Sequence, residues 1–166
     1  MNPQINGRAR GFTLVELMVV VVIAAILLAV AAPMYQTQVR QARRTDARTA
    51  ILDLAGREER YFSTNASSYT AVPANLGYPG VFNNPANPVG SGYYYISSVC
   101  TPACAPSAAA SPSFSIIVLP VPGGSQTKDT PCQGFAVDST GQQWAETGGA
   151  WIQNTPATSA AACWSN

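Results

Sequence analysis

Histidine is absent from this sequence, and charge is scarce: 10% of its 166 residues are Asp, Glu, Lys or Arg. A chain without imidazole lacks the commonest general base and the commonest metal ligand. No G-x-S-x-G elbow and no metal-ligand cluster compensates. The acids beyond the helical region, Asp129, Asp138 and Glu146, are few and do not form the acidic loop of a calcium site. The sequence therefore predicts no enzyme, no cofactor, no metal and no small-molecule substrate. Nine Lys+Arg against eight Asp+Glu leave a formal charge of +1, which does not point to nucleic acid.

One apolar run stands out. Residues 12–32, FTLVELMVVVVIAAILLAVAA, are interrupted only by Thr13 and Glu16. At a rise of about 1.5 Å per residue this helix is about 32 Å long, enough to cross the hydrocarbon core of a bilayer. Ordinary secretory signals are shorter, about 7–15 apolar residues before a small-residue cleavage site. The Ala29, Ala31 and Ala32 end resembles such a site, so removal of the whole run is an alternative. Arg8 and Arg10 precede the run and no comparable basic cluster follows until Arg40, which puts the N-terminus in the cytoplasm and the remainder outside.

Glu16 is the anomaly. An acid well inside the hydrocarbon core costs about 2.5–3.5 kcal/mol. Near the membrane edge it reaches water; deeper, it needs a cation, and the run contains none. Cleavage between Gly11 and Phe12 creates one, an α-amino group four residues from Glu16. At about 4 Å and an effective dielectric near 20 the attraction is on the order of 4 kcal/mol. The two could meet across a single turn of one helix or equally between neighbouring helices; made between neighbours, the pair sets register, because a shifted neighbour buries two unanswered charges.

The stretch GFTLVELMVVVVIAAILLAVAAP resembles the N-terminal motif of type IV pilins. The resemblance implies that residues 1–11 are a leader removed by a prepilin peptidase, which also methylates Phe12. It implies that Glu16 pairs with the amine of an adjacent subunit and that Pro33 kinks the helix, its lost hydrogen bond being the physical cause. The partners implied are that peptidase, other pilin subunits and the inner-membrane assembly machinery. The implied location is the bacterial inner membrane, single pass with the C-terminus periplasmic, and then an extracellular pilus.

Residues 34–62 read as helix continuing into a polar environment, with Val39, Ala42, Ala47, Ile51, Leu54, Tyr61 and Phe62 as its apolar face. Arg40, Arg44 and Arg48 line another face, and Asp53 precedes Arg57 in the orientation of a helical ion pair. The arginine stripe could contact DNA; the favoured reading is a solvated face, or subunit contacts with Asp46, Asp53, Glu58 and Glu59. Residues 63–92 are rich in Asn, Pro, Gly and Ser and read as an irregular connector. Residues 93–166 form the β domain, with strands expected at 93–99, 114–121, 134–138 and 142–146. The expected fold is α+β: a four-stranded, mainly antiparallel sheet packed on the helix.

Four cysteines, Cys100, Cys104, Cys132 and Cys163, lie beyond the apolar run. Exported, they favour two disulfides among three possible pairings; a zinc site would need all four and lacks a second close pair. A Cys100–Cys104 bridge would clip the base of an exposed Ala/Ser/Pro loop (100–113), worth about 2 kcal/mol, and Cys132–Cys163 would tie down the C-terminus, worth about 3.5–4 kcal/mol. QTKDTPCQGFAVDSTGQQW and the terminal Cys163-Trp164 are similar to the end of PilE-type minor pilins. That similarity implies a pilin fold whose C-terminal disulfide loop is closed by Cys132–Cys163; it leaves Cys100 and Cys104 unassigned. The function implied is a structural, minor subunit of a type IV pilus serving adhesion, twitching motility or DNA uptake. The alternatives are a pseudopilin of type II secretion and a membrane-anchored adhesive module.

Overall fold

The computed structural model describes residues 11–107, 109 and 111–165; Arg8 and Arg10 lie outside the described residues. Helix α1 runs Leu14–Thr64, and the chain divides into two compact units, residues 1–38 and 39–166.

In the first unit Thr13 caps the helix: its Oγ1 accepts the Glu16 N–H at 3.2 Å, and its carbonyl accepts the Leu17 N–H at 3.2 Å. Nearly every described side chain of this unit is exposed, including the whole run Leu14–Val30. Its mean hydropathy reaches 3.1, and α1 is the one helix among the described residues long and apolar enough to cross a membrane. Water does not tolerate an apolar surface of this extent, so lipid or other helices must cover it. Pro33 lies inside α1 and, lacking an N–H, cannot bond the Ala29 carbonyl.

The second unit is one antiparallel sheet in the order β1 to β6: β1 Pro88–Val89, β2 Tyr94–Cys100, β3 Ser115–Pro120, β4 Gly134–Asp138, β5 Gln143–Thr147 and β6 Ala150–Gln153. The four expected strands are present, within a residue or so at their ends. The count is six because two short edge strands join them. β1 is two residues long and begins with proline, and β6 follows a Gly148-Gly149 turn with both φ positive, +60° and +81°. Two such residues between Thr147 and Ala150 are the geometry of a tight hairpin.

Buried residues on α1 recur at three- and four-residue spacing, Arg44, Ala47, Ile51, Leu54 and Glu58. The three apolar ones join a core with Tyr94, Ile96, Phe114, Ile116, Val118 and Phe135. In β2 the register against β3 shifts between Ile96 and Ser98. That irregularity changes the alternation by one residue, so Val99 is buried with Tyr94 and Ile96 although it lies three positions after Ile96. The expected apolar face of α1 needs correcting at Ala42, which is exposed; Arg44 takes the inward position instead. A short helix α2, Ala161–Trp164, closes the chain's described part.

Candidate functional site

Two regions carry the chemistry. The first is the N-terminal turn. Gly11 and Phe12 are exposed and precede α1, and a side chain added at Gly11 would meet nothing within 4 Å. Glu16 is the only acid in the first turn, where the partial positive charge of a helix N-terminus favours a carboxylate. Thr13 and Glu16 thus have the spacing of a capping box, and the Thr13 half of it is made. The cap is made to the Glu16 backbone, and no side-chain hydrogen bond of Glu16 completes the box among the described residues.

The second region is a buried polar clamp between α1 and the C-terminal part of the domain. Arg44 donates Nε to Asp129 Oδ2 at 2.8 Å and Nη2 to Asp129 Oδ1 at 2.7 Å. Gln126 Nε2 reaches the same carboxylate at 2.8 Å and the Arg40 carbonyl at 3.1 Å. One turn further along, Arg48 Nη1 donates to the carbonyls of Trp164, at 2.7 Å, and Ser165, at 3.3 Å. Trp164 donates its indole N–H to the Trp144 carbonyl and packs edge-on against Phe135. Two disulfides, Cys100–Cys104 and Cys132–Cys163, tie the loop after β2 and the chain's end.

Two of the three stripe arginines are therefore not a solvated face: Arg44 is buried in an ion pair and Arg48 donates to the Trp164 and Ser165 carbonyls. Asp46 likewise turns inward, its Oδ2 accepting the Ser91 N–H at 3.1 Å. Gly90 permits this approach, since it has a φ of +54° and a Cβ there would lie 2.8 Å from the Asp46 carboxyl carbon. Asp53 and Arg57 form the exposed helical ion pair at 2.8 Å. The loop after Cys100 also differs from expectation. Ser107 and Ser113 are buried, and Ser107 Oγ donates to Asp138, whose other oxygen caps the β4–β5 turn through Thr140 and Gln142. Small hydroxyls fold this loop onto the sheet where composition alone suggested an exposed tip.

Glu58, a surface residue by its charge, is fully buried. Its Oε2 accepts the Thr70 N–H at 3.1 Å, and Oε1 has no hydrogen-bond partner among the described residues. Burial, opposed by the Thr70 N–H and reinforced by Glu59, raises the carboxyl from the usual 4.5 to about 7. A raised acid favours the folded chain while protonated in both states, so this contribution is intact below about pH 4.5 and is lost as pH rises through about 7. Stability should fall by up to about 3 kcal/mol across that window. Glu58→Gln should flatten the dependence and raise stability at pH 8, as read by urea unfolding of the full chain in detergent at pH 5 and pH 8.

Among the open cavities of this unit, two border α1. One of about 620 Å³ is bordered by Thr45, Thr49, Leu52, Asn154 and Pro156. The other, about 530 Å³, lies at the end of α1 beside Arg57, Arg60, Asn65 and Asn75. No group of three or more metal-ligating side chains occurs among the described residues.

Residues 6–32 match the prokaryotic N-terminal methylation motif. Residues 33–136, most of the chain that follows, match the family described as type IV minor pilin ComP, DNA uptake sequence receptor. The chain belongs to the type IV minor pilin family. No individual curated protein matches it. The two family matches meet at Pro33, and the second ends inside β4, so β5, β6 and Cys163 lie beyond it. Pilins of this family are structural proteins. For this minor pilin the clamp explains the C-terminal signature. Gln126 and Asp129 hold α1, Cys132 bonds Cys163, and Trp164 seals Phe135. In the sequence Asp129 is an isolated acid and Arg44 one member of a stripe; only the fold brings them together.

Proposed function

We propose that this minor pilin is made with a leader that is cut between Gly11 and Phe12 and methylated on Phe12. It then enters a pilus from the inner membrane through the helix of residues 12–33. The observation that carries this reading is a methylation motif leading directly into a wholly exposed apolar helix with one acid in its first turn. The fold itself gives no reason for glycine at position 11, since a side chain there meets nothing, so the demand for it lies with the processing enzyme. Glu16 answers the amine of a neighbouring subunit, and Pro33 relaxes the helix where the two family matches meet. Residues 34–62 carry the domain of residues 93–166, with 63–92 as the connector. The test is the mass of the mature N-terminus.

A second reading, contact with DNA during uptake, is favoured by the description of the matching family. Arg44, sealed by Asp129, does not serve it, and Arg48 is taken up by the Trp164 and Ser165 carbonyls. Arg60, exposed beside the cavity that Asn65 and Asn75 border, is an outward cation suited to a phosphate. Duplex DNA should then be retarded by the full chain in detergent. Arg60→Ala should weaken that binding and lower the salt slope by about 0.9, the value for one lost phosphate contact.

A further inference from the structure

Three cations gather at the start of the second unit without an acid among the described residues to neutralise them. Arg40 Nη1 donates to the Lys128 carbonyl at 3.5 Å. Arg43 Nη1 donates to Ser125 Oγ at 2.7 Å, and its guanidinium carbon stands 3.7 Å from the centre of the Tyr93 ring. Lys128 is exposed on the same Ser125–Lys128 turn. These partners are neutral: they orient the cations and leave the charge in place. The ion pairs among the described residues, Arg44–Asp129 and Arg57–Asp53, involve none of the three. Of the neighbouring acids, Asp129 is neutralised by Arg44, and Asp46 keeps its charge while accepting the Ser91 N–H but forms no ion pair with any of the three among the described residues.

The sequence supplies the second observation. Between Glu16 and Asp46 the chain has no carboxylate. Arg40 follows Ala32, the last residue of the apolar run, by eight residues. That length reaches about 12 Å as helix and at most about 29 Å fully extended, which is the tether between Arg40 and the end of the apolar run. Tyr35, exposed directly after Pro33 and Met34, is the amphipathic ring that settles at a headgroup boundary.

We propose that Arg40, Arg43 and Lys128 form a phosphate-binding patch that docks the unassembled subunit on anionic phospholipid headgroups. This rests on the reading that residues 12–33 span the membrane. Each cation near an anionic surface strengthens binding by about fivefold, and the effect weakens with salt. The patch thus favours the membrane-anchored subunit and has to be surrendered when the subunit leaves the lipid for the fibre.

The experiment measures, by native mass spectrometry, lipid retention on the processed full chain in neutral detergent at physiological salt. The probes are phosphatidylglycerol, phosphatidylcholine and a short DNA duplex. Phosphatidylglycerol should be preferred over phosphatidylcholine by at least about tenfold, and R40Q/R43Q/K128Q should remove that preference. Lys128→Gln alone, at an exposed side chain, should reduce it about fivefold and keeps the test valid if the triple variant misfolds. Equal retention of the two lipids, or a preference that survives the triple substitution, overturns the proposal. So does a patch that binds duplex in preference to phosphatidylglycerol at equal phosphate concentration. Failure of the membrane reading itself shows separately, as a mature chain that lacks residues 12–32.

Discussion

Asp129→Ala should lower the unfolding free energy by about 3–5 kcal/mol, because it strands the Arg44 guanidinium in the interior without its counter-ion. Arg44 is 7% exposed and Asp129 3%, so water cannot replace the lost partner. The same carboxylate also accepts from Gln126, which ties the Ser125–Lys128 turn to the Arg40 carbonyl. The turn leads directly to Cys132, so the disulfide to Cys163 would close on a less ordered strand entry. Asp129→Asn keeps one acceptor and should cost less than the alanine variant. Asp53→Ala, which breaks the exposed pair with Arg57, should cost only about 0.5 kcal/mol. Urea unfolding of the full chain in detergent ranks the three. A loss below about 1 kcal/mol for Asp129→Ala would mean that the clamp does not hold the helix to the domain.

Glu16→Ala should reduce incorporation into fibres by about tenfold or more while leaving cleavage after Gly11 largely intact, since each 1.4 kcal/mol lost in an assembly step is about tenfold. The Thr13 cap is made to the backbone N–H of residue 16 and survives any side chain there, whereas the charge in the first turn of α1 belongs to the side chain alone. Glu16→Gln isolates that charge, because glutamine keeps the length and polarity of glutamate without its charge. If charge pairing with a neighbour's amine governs assembly, both variants fail alike. If Glu16→Gln assembles normally, the acid acts only on its own helix end. The readout is the subunit content of sheared fibres against the processed pool in the membrane.

The N-terminal half was legible because its signals are local. A run of residues 12–32 broken only by Thr13 and Glu16 admits few structures, and the Thr13 cap and the N–H missing at Pro33 each concern a single helical turn. The four longer strands were legible for the same reason, since YYISSVC and FSIIVLP carry the β-branched and aromatic residues that strands favour. What stayed hidden depends on contacts distant in sequence. Arg44 looked like a surface charge until Asp129, 85 residues away, neutralised it. Glu58 looked equally polar, and only the fold of the connector over it buries the carboxylate against Thr70. The sixth strand did have a local signal, the Gly148-Gly149 pair, but AWIQ is too short to show alternation by itself. The serines after Cys100 read as an exposed loop because hydroxyls suit both solvent and hydrogen bonds within the fold; Asp138 and the Ala103 backbone select the second. Stripes of charge on a helix are therefore weak guides to which face is wet when the rest of the domain supplies a single matching acid.

Mass spectrometry of chains recovered from fibres reads the mature N-terminus itself. It should find a polypeptide that begins at N-methylated Phe12 and retains all of residues 12–32. A mature chain beginning near Pro33, or one keeping residues 1–11, would contradict it.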